Sequence, residues 1–266
     1  MTKSLRIVLF IALIITPIIF YKTLNRKNSS NNKVLSFSAR KESLQRPKIA
    51  LIFDDLGESL KDLREIYSLD IPLTISVIPN LKFSKNIAHI ASRCGFSVFI
   101  HLPLESVNSQ RYQTDKYRFI TSDLSKREVI FLLRKYLNSI RIAIGVNNHM
   151  GSKATKIPWL MTIVLSEIKK RGLIFVDSRT SLESIAYDKA RKMELVCGYN
   201  QGFLDAVDDI KVMDERMEAL ITKAKNKGKI IIIAHPKKNT LKFLKARLPF
   251  LREEVDFITI KDYFEL

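Results

Sequence analysis

From Lys48 onward, short apolar runs alternate with longer segments in which apolar residues recur every three or four positions. The short runs predict strands at 48–53, 73–78, 96–100, 141–146, 173–176, 229–234 and 257–260. The longer segments predict helices at 59–69, 83–94, 124–139, 157–171, 209–227 and 240–252. Strands and helices in such alternation predict βα units and a parallel sheet. Gly95, Gly172 and Gly228 each stand just past a predicted helix, where a left-handed residue ends the turn. About seven units in about 220 residues suit an α/β fold closed into a deformed or incomplete (β/α) barrel better than an open sheet. In such a barrel the C-terminal ends of all the strands share one face.

Before Lys48 the pattern changes. Lys3 and Arg6 precede an apolar run at 7–21, too long for a surface helix. It predicts a membrane anchor or signal segment at 1–21. The run is shorter than a span of roughly 20 residues and contains Pro17, as a signal peptide would allow. The residues after it, 22–26, lack the small-x-small pattern of a cleavage site, which favours an uncleaved anchor. The stretch 22–47, rich in Asn, Ser, Lys and Arg and without apolar period, predicts a flexible polar linker, and 48–266 a catalytic domain.

The chain's 266 residues, 46% of them hydrophobic, suffice for one good core. A net charge of +18 raises the possibility of nucleic acid. The Lys and Arg residues are spread over what read as solvated helix faces, and no nucleic-acid motif accompanies them, so no such partner is expected. Proximity to an anionic bilayer fits the same charge, since each basic residue near the surface gains about 1 kcal/mol. Cys94 and Cys197 have no spacing that demands a bridge, and two unpaired, buried thiols are expected.

Chemistry enters with four histidines, of which His101, His149 and His235 fall at or just past predicted strands. Asp54, Asp55 and Asp177 do the same, so six side chains far apart in sequence are expected to converge on one mouth. Asp55, His101 and His149 form a natural trio, because two imidazoles and a carboxylate bind zinc and similar ions while leaving positions for water and substrate. Asp54 beside them is placed to act as base toward that water. Adjacent strand residues point oppositely, so Asp54 and Asp55 can serve one site only if the strand breaks there, for which Gly57 just downstream gives a means. Simpler roles exist for the same residues. The Asp pair could cap a helix, and the glycines and asparagines of 145–153 could build a turn, although Asn147 and Asn148 are costly to hide without partners. His89, on a helical pattern, reads as a surface or packing residue.

These residues lie in strings that resemble the divergent polysaccharide deacetylases, relatives of the bacterial polysaccharide deacetylases. The strings are IALIFDDLG at 49–57, HLPLE at 101–105, GVNNHMGSKAT at 145–155, RGLIFVDSRTS at 171–181 and AHPKKNT at 234–240. The resemblance covers essentially everything from Lys48 onward. It implies a barrel of the polysaccharide deacetylase type and a metal-dependent hydrolase that removes acetyl groups from a cell-envelope glycan. By the same resemblance Asp54 takes the place of the base, Asp55 that of a metal ligand, and His235 that of the histidine that protonates the leaving group. His101 matches the first histidine of an H-x-x-x-H pair whose second position is Glu105 in this chain, leaving the third ligand to His149 or Glu105, with His149 favoured. Asp177 and Arg179 resemble a supporting pair, the carboxylate orienting a histidine and the guanidinium holding an oxygen. The stretch 200–206 keeps Asp205 but has Asn200, Gln201 and Ala206 where an Arg-Asp pair and an Asn are expected. Zinc is the expected cofactor, although manganese, iron or cobalt fit the same ligands. The implied location is the bacterial cell envelope, outside the cytoplasm, whether anchored or secreted to the periplasm. The rival reading is a catalytically silent glycan-binding or envelope-assembly protein that retains the barrel, since a fold outlives its chemistry.

Overall fold

The computed structural model of the chain describes residues 46–108 and 116–266. The predicted anchor at 1–21 and the predicted linker as far as residue 45 lie outside them. In chain order the elements are β1 (Lys48–Leu56), α1 (Leu60–Tyr67), β2 (Thr74–Val77), α2 (Ser84–Arg93), β3 (Ser97–Leu104), α3 (Lys126–Ser139), β4 (Gly145–Met150) and α4 (Pro158–Lys170). There follow β5 (Ile174–Asp177), α5 (Ala186–Lys192), β6 (Cys197–Tyr199), α6 (Ile210–Lys227), β7 (Lys229–Ala234), α7 (Lys238–Glu254), β8 (Asp256–Ile258) and α8 (Ile260–Phe264). Helix starts follow local chemistry: the Ser59 and Asp209 side chains accept from the first backbone N–H groups of α1 and α6, and Ser125 with Glu128 forms a capping box on α3. Among the described residues no helix is long and apolar enough to cross a membrane.

The strands run in the order β6-β5-β4-β3-β2-β1-β7, every pairing parallel, with β8 paired to the first residues of β1. Between β6 and β7 the seam is closed by the segment after β6. Gln201 N–H donates to Ile231 O at 2.8 Å, Leu204 N–H to Ile233 O at 2.9 Å, and the Gln201 side-chain oxygen accepts from Ile231 N–H at 2.7 Å. The result is the nearly closed α/β barrel that the element order predicted.

Alternation along the strands separates two apolar layers. Ile49, Leu51 and Phe53 of β1, Ile100 of β3 and Ile230 and Ile232 of β7 pack in one cluster with helix residues such as Leu63, Leu133, Leu165 and Leu244. Residues of the opposite parity, Ala50, Ile52, Phe99, Val176, Ile231 and Ile233, form a smaller cluster that fills the barrel. Gly145, opposite Phe99 in the ladder, gives that ring its space, since a Cβ there would lie 2.3 Å from a ring carbon.

Several expectations need correction. The strand predicted at 141–146 begins only at Gly145 and continues to Met150, so Asn147, Asn148 and His149 lie within a strand and not in a turn. Apolar periodicity undercounted it because its inward side chains are polar. The short elements α5 and β6 went unrecognised, since seven and three residues hold too little pattern. The last predicted strand ends at Ile258, where Thr259 caps α8. Cys94 and Cys197 are unpaired but not buried, Cys94 being exposed and Cys197 partly so.

Candidate active site

The inward parity that carries apolar side chains low in the barrel carries polar ones at its C-terminal end. Above Ala50 and Ile52 comes Asp54, above Phe99 comes His101, and above Ile231 and Ile233 comes His235; β4 contributes Asn147 and His149. Asp55 has the wrong parity, and a β-bulge corrects it. The pairing with β2 steps from Phe53↔Ile75 to Leu56↔Val77, so β1 holds one extra residue, and Asp55 adopts a left-handed φ of 62°. The expectation that β1 must end at the Asp pair is therefore wrong in its means: the strand bulges and runs on to Leu56.

The bulge sets Asp55 Oδ1 3.1 Å from His101 Nε2 and 2.9 Å from His149 Nδ1. One donor atom from each of the three residues lies within 4.8 Å of the others. Asp55 Oδ1 is buried and makes no hydrogen bond of acceptable geometry, although two ring nitrogens face it. A buried oxygen and two imidazoles converging on one point without bonding to each other fit a small divalent ion, and the donor set suits zinc.

Each of these groups is held from behind. His101 Nδ1 lies 3.0 Å from Asn147 Oδ1, and Asn147 Nδ2 donates to both oxygens of Asp54 at 2.8 and 3.1 Å. The phenol of Tyr117 lies 3.0 Å from His149 Nε2, and the Phe119 ring stacks on His149 with centroids 6.0 Å apart. Opposite them, His235 Nε2 is 3.8 Å from Asp55 Oδ2, and its Nδ1 is 2.9 Å from Asp205 Oδ1. Asp205, wholly buried, also accepts from His235 N–H at 2.9 Å and from the Thr240 hydroxyl at 2.8 Å.

Burial and neighbouring charge pull these groups in different directions. Burial raises the Asp54 carboxyl above its ordinary value, outweighing His101, His235 and the Asn147 amide. Burial also opposes ionisation of Asp55, but the His101 and His149 rings hold it well below the usual carboxylate range. Burial wins at His149, which is lowered and so favours the neutral ring that a metal ligand must be. At His235 burial loses to Asp205, Asp55 and Asp54, and the ring is raised. Tyr117 is pushed up to about 12 by burial and the Asp55 charge, so its phenol stays protonated.

Two expected members lie elsewhere. Asp177 orients no histidine. Its parity is that of Phe175, toward the helices, and its oxygens accept from Arg179 N–H at 2.8 Å, the Ser184 hydroxyl at 2.7 Å and Tyr187 N–H at 3.2 Å. It secures the loop between β5 and α5. The Arg179 guanidinium lies over the Tyr199 ring at 4.6 Å, with Nε 3.9 Å from Asp177. The carboxylate that orients a histidine is Asp205. Glu105 is likewise committed, accepting from Lys153 Nζ at 2.7 Å and Ser122 N–H at 2.8 Å. Gln201 secures the seam beside β7, and Asn200 ties the end of β6 to that of β5 by donating to Ser178 O at 3.1 Å. His89 is exposed on α2, as its pattern suggested. Sequence reasoning gave no role to Asn147 or Asp205 and overlooked Tyr117; inward parity would have found Asn147, and nothing local marks Tyr117.

Comparison with known proteins agrees with this architecture. The sequence profile of the family described as divergent polysaccharide deacetylase matches residues 51–264. An uncharacterized protein of Haemophilus influenzae is 29% identical over 216 residues, covering 81% of this chain and 76% of the relative. The crystal structure of an uncharacterized protein from Agrobacterium tumefaciens superposes with a TM-score of 0.75 at 18% identity, covering 82% of this chain and 89% of the other. A CE4-family pseudoenzyme from Bacillus anthracis shares the fold at a TM-score of 0.52 and 13% identity, over 82% and 66% of the two chains.

Proposed function

The chain belongs to the divergent polysaccharide deacetylase family, and from that membership we propose that it is a metal-dependent hydrolase removing acetyl groups from a cell-envelope glycan. The observation that carries the proposal is the bulge at Asp55, which brings a carboxylate out of strand parity to face His101 Nε2 and His149 Nδ1. Asp55, His101 and His149 would hold the ion, zinc by preference. When bound, it would supply a water acidic enough to ionise near neutral pH and a positive centre for the carbonyl oxygen of the acetyl group. Asp54 accepts the proton of that water, its raised pKa bringing it nearer the working pH of a general base. His235 donates a proton from Nε2 to the departing amine or hydroxyl, while Asp205 holds Nδ1–H and supports the charged ring. The glycan is the only partner this scheme requires.

We assign the chain to the cell envelope because of the apolar run at 7–21. Cell fractionation with a 1–47 deletion tests that assignment; an unchanged distribution removes it.

Glu105 favours a second reading. The resemblance aligns it with a ligand histidine, yet it is tied to Lys153, as in a site whose chemistry has lapsed into glycan binding. Elemental analysis of the full-length protein, with acetate release from acetylated chito-oligosaccharides and peptidoglycan fragments, separates the two. About one equivalent of metal with acetate release supports the enzyme. Metal without release supports the binding protein, and no metal removes the proposed site.

A further inference from the structure

Resting on that reading of the site, we propose that Asn147 is the positioning residue that makes His101 a metal ligand. It does so by fixing which ring nitrogen carries the proton, and the same amide holds the carboxylate of Asp54. A neutral imidazole has one N–H and one lone pair, and only the nitrogen with the lone pair can bind a metal. In the proposed site Nε2, 3.1 Å from Asp55 Oδ1, would be the ligand atom, so as a ligand His101 has to carry its hydrogen on Nδ1.

Asn147 imposes that state through its own hydrogen bonds. Its amide faces the Asp54 carboxylate at one end and His101 Nδ1 at the other. Both oxygens of Asp54 lie within hydrogen-bond distance of that end, at 2.8 and 3.1 Å, and a carboxylate only accepts, so the end facing Asp54 is the NH2 group. The carbonyl therefore faces His101 at 3.0 Å, and Nδ1 must be the donor. The Ser76 hydroxyl donates to the same carbonyl at 2.5 Å, and the second amide N–H reaches Ser178 Oγ at 3.3 Å. Both N–H bonds and both lone pairs are thus used in this orientation. Reversal would set a carbonyl against a carboxylate, in a residue with no exposed surface and no solvent to relieve it. The ladder places Asn147 directly opposite His101, two residues before His149, so β4 supplies a ligand and a positioning residue from one face.

Long-range 1H–15N correlation spectra of histidine-labelled full-length protein, metal-free at alkaline pH, test this together with zinc titration against a chromophoric chelator. The His101 signals are assigned by their loss in His101→Ala. Wild type is expected to show the Nδ1–H form. Asn147→Gln keeps an amide, with a carbonyl for Nδ1 and an NH2 group for Asp54, and is expected to retain that form and zinc binding. Asn147→Leu is expected to give mixed tautomers and to weaken zinc by about 10–100-fold, as the loss of a residue behind a metal ligand does. If Asn147→Leu fails to fold, the wild-type and Asn147→Gln spectra still decide. A His101 that carries its proton on Nε2 overturns the proposal, as does Asn147→Leu with unchanged tautomer and affinity. A wild type that binds no zinc overturns both this inference and the metal-dependent reading. Zinc binding with the Nδ1–H form but without acetate release overturns only the deacetylase reading.

Discussion

Replacing Asp205 by Asn tests the role of His235 most directly. The carboxylate takes three donors, His235 Nδ1–H at 2.9 Å, His235 N–H at 2.9 Å and the Thr240 hydroxyl at 2.8 Å, with no exposed surface. Asparagine offers one acceptor end. If its oxygen faces Nδ1, its NH2 group faces the His235 backbone N–H and strands it, at a penalty of about 1–3 kcal/mol. Loss of charge from the remaining bonds adds about 1 kcal/mol, for roughly 2–4 kcal/mol in all. In a domain of this size each 1 kcal/mol lowers Tm by roughly 2–4 °C. The pH effect has a definite sign. Asp205 is the leading group that raises His235 against burial, so without it the ring loses its proton at lower pH than in the wild type. The alkaline limb of the acetate-release profile is therefore expected to move to lower pH, with kcat reduced about 100-fold at neutral pH and metal content unchanged. A variant with the lowered Tm but an unmoved alkaline limb and near-normal kcat would refute the role of His235 as acid and leave Asp205 as a stabilising residue alone.

Other expectations follow from particular contacts. Gly145→Ala sets a Cβ 2.3 Å from a carbon of the fully buried Phe99 ring and is expected to destabilise by about 1–3 kcal/mol, with part recovered in Gly145→Ala/Phe99→Leu; additive losses in thermal unfolding would exclude the contact as the cause. Glu105→Gln is expected to lower Tm slightly through loss of the Lys153 ion pair while leaving metal content intact; loss of metal would make Glu105 a ligand after all. Glu167 is bonded by Arg134 and Lys170, which outweigh its burial and lower its pKa from the ordinary 4.5 to about 2. A depressed folded-state value contributes stability above pH 4.5 that is lost as pH falls toward 2. Because Arg134 is half exposed, the contribution is discounted to about 1–2 kcal/mol, and Glu167→Gln is expected to flatten that acid limb in urea titrations, whereas an unchanged limb would show the pair to be inert.

The barrel was legible because β1, β3 and β7 are dense apolar runs and the intervening helices keep their period. The site was legible in part, since the apolar runs of the same strands give way to Asp54, His101 and His235. Position near a strand end proved an insufficient criterion. Asp177 satisfies it and faces the helices, because Phe175 shares its parity and Val176, one residue earlier, is the one that points inward. Asp205 was obscured for the opposite reason: it follows the short β6 and the seam segment, where no alternation is long enough to count. Asn147 was visible as an unpartnered cost but not as a hinge between two functional groups, because its partners come from β1, β2 and β3 and only the register brings them together.

Register also accounts for the proposed third ligand being drawn from β4 rather than from the end of β3. Glu105 shares the inward parity of His101, four residues earlier, but β3 ends at Leu104, and the Glu105 carbonyl accepts from Lys153 N–H at 3.1 Å and Ala154 N–H at 3.0 Å. The Glu105 side chain is bonded instead to Lys153 Nζ and Ser122 N–H. His149 stands two residues beyond Asn147, the ladder partner of His101, and so higher in the barrel by about 6.6 Å of strand. A carboxylate serving both rings must then lie beyond Asp54 yet on the same face. An unbroken β1 offers no such residue, since the next inward position after Asp54 would be Leu56. One inserted residue with left-handed φ turns Asp55 inward at the required height, so the bulge in β1 and the histidine on β4 are two halves of one solution. Deleting either half alone should abolish metal binding while sparing the apolar layers beneath, which hold no member of the site.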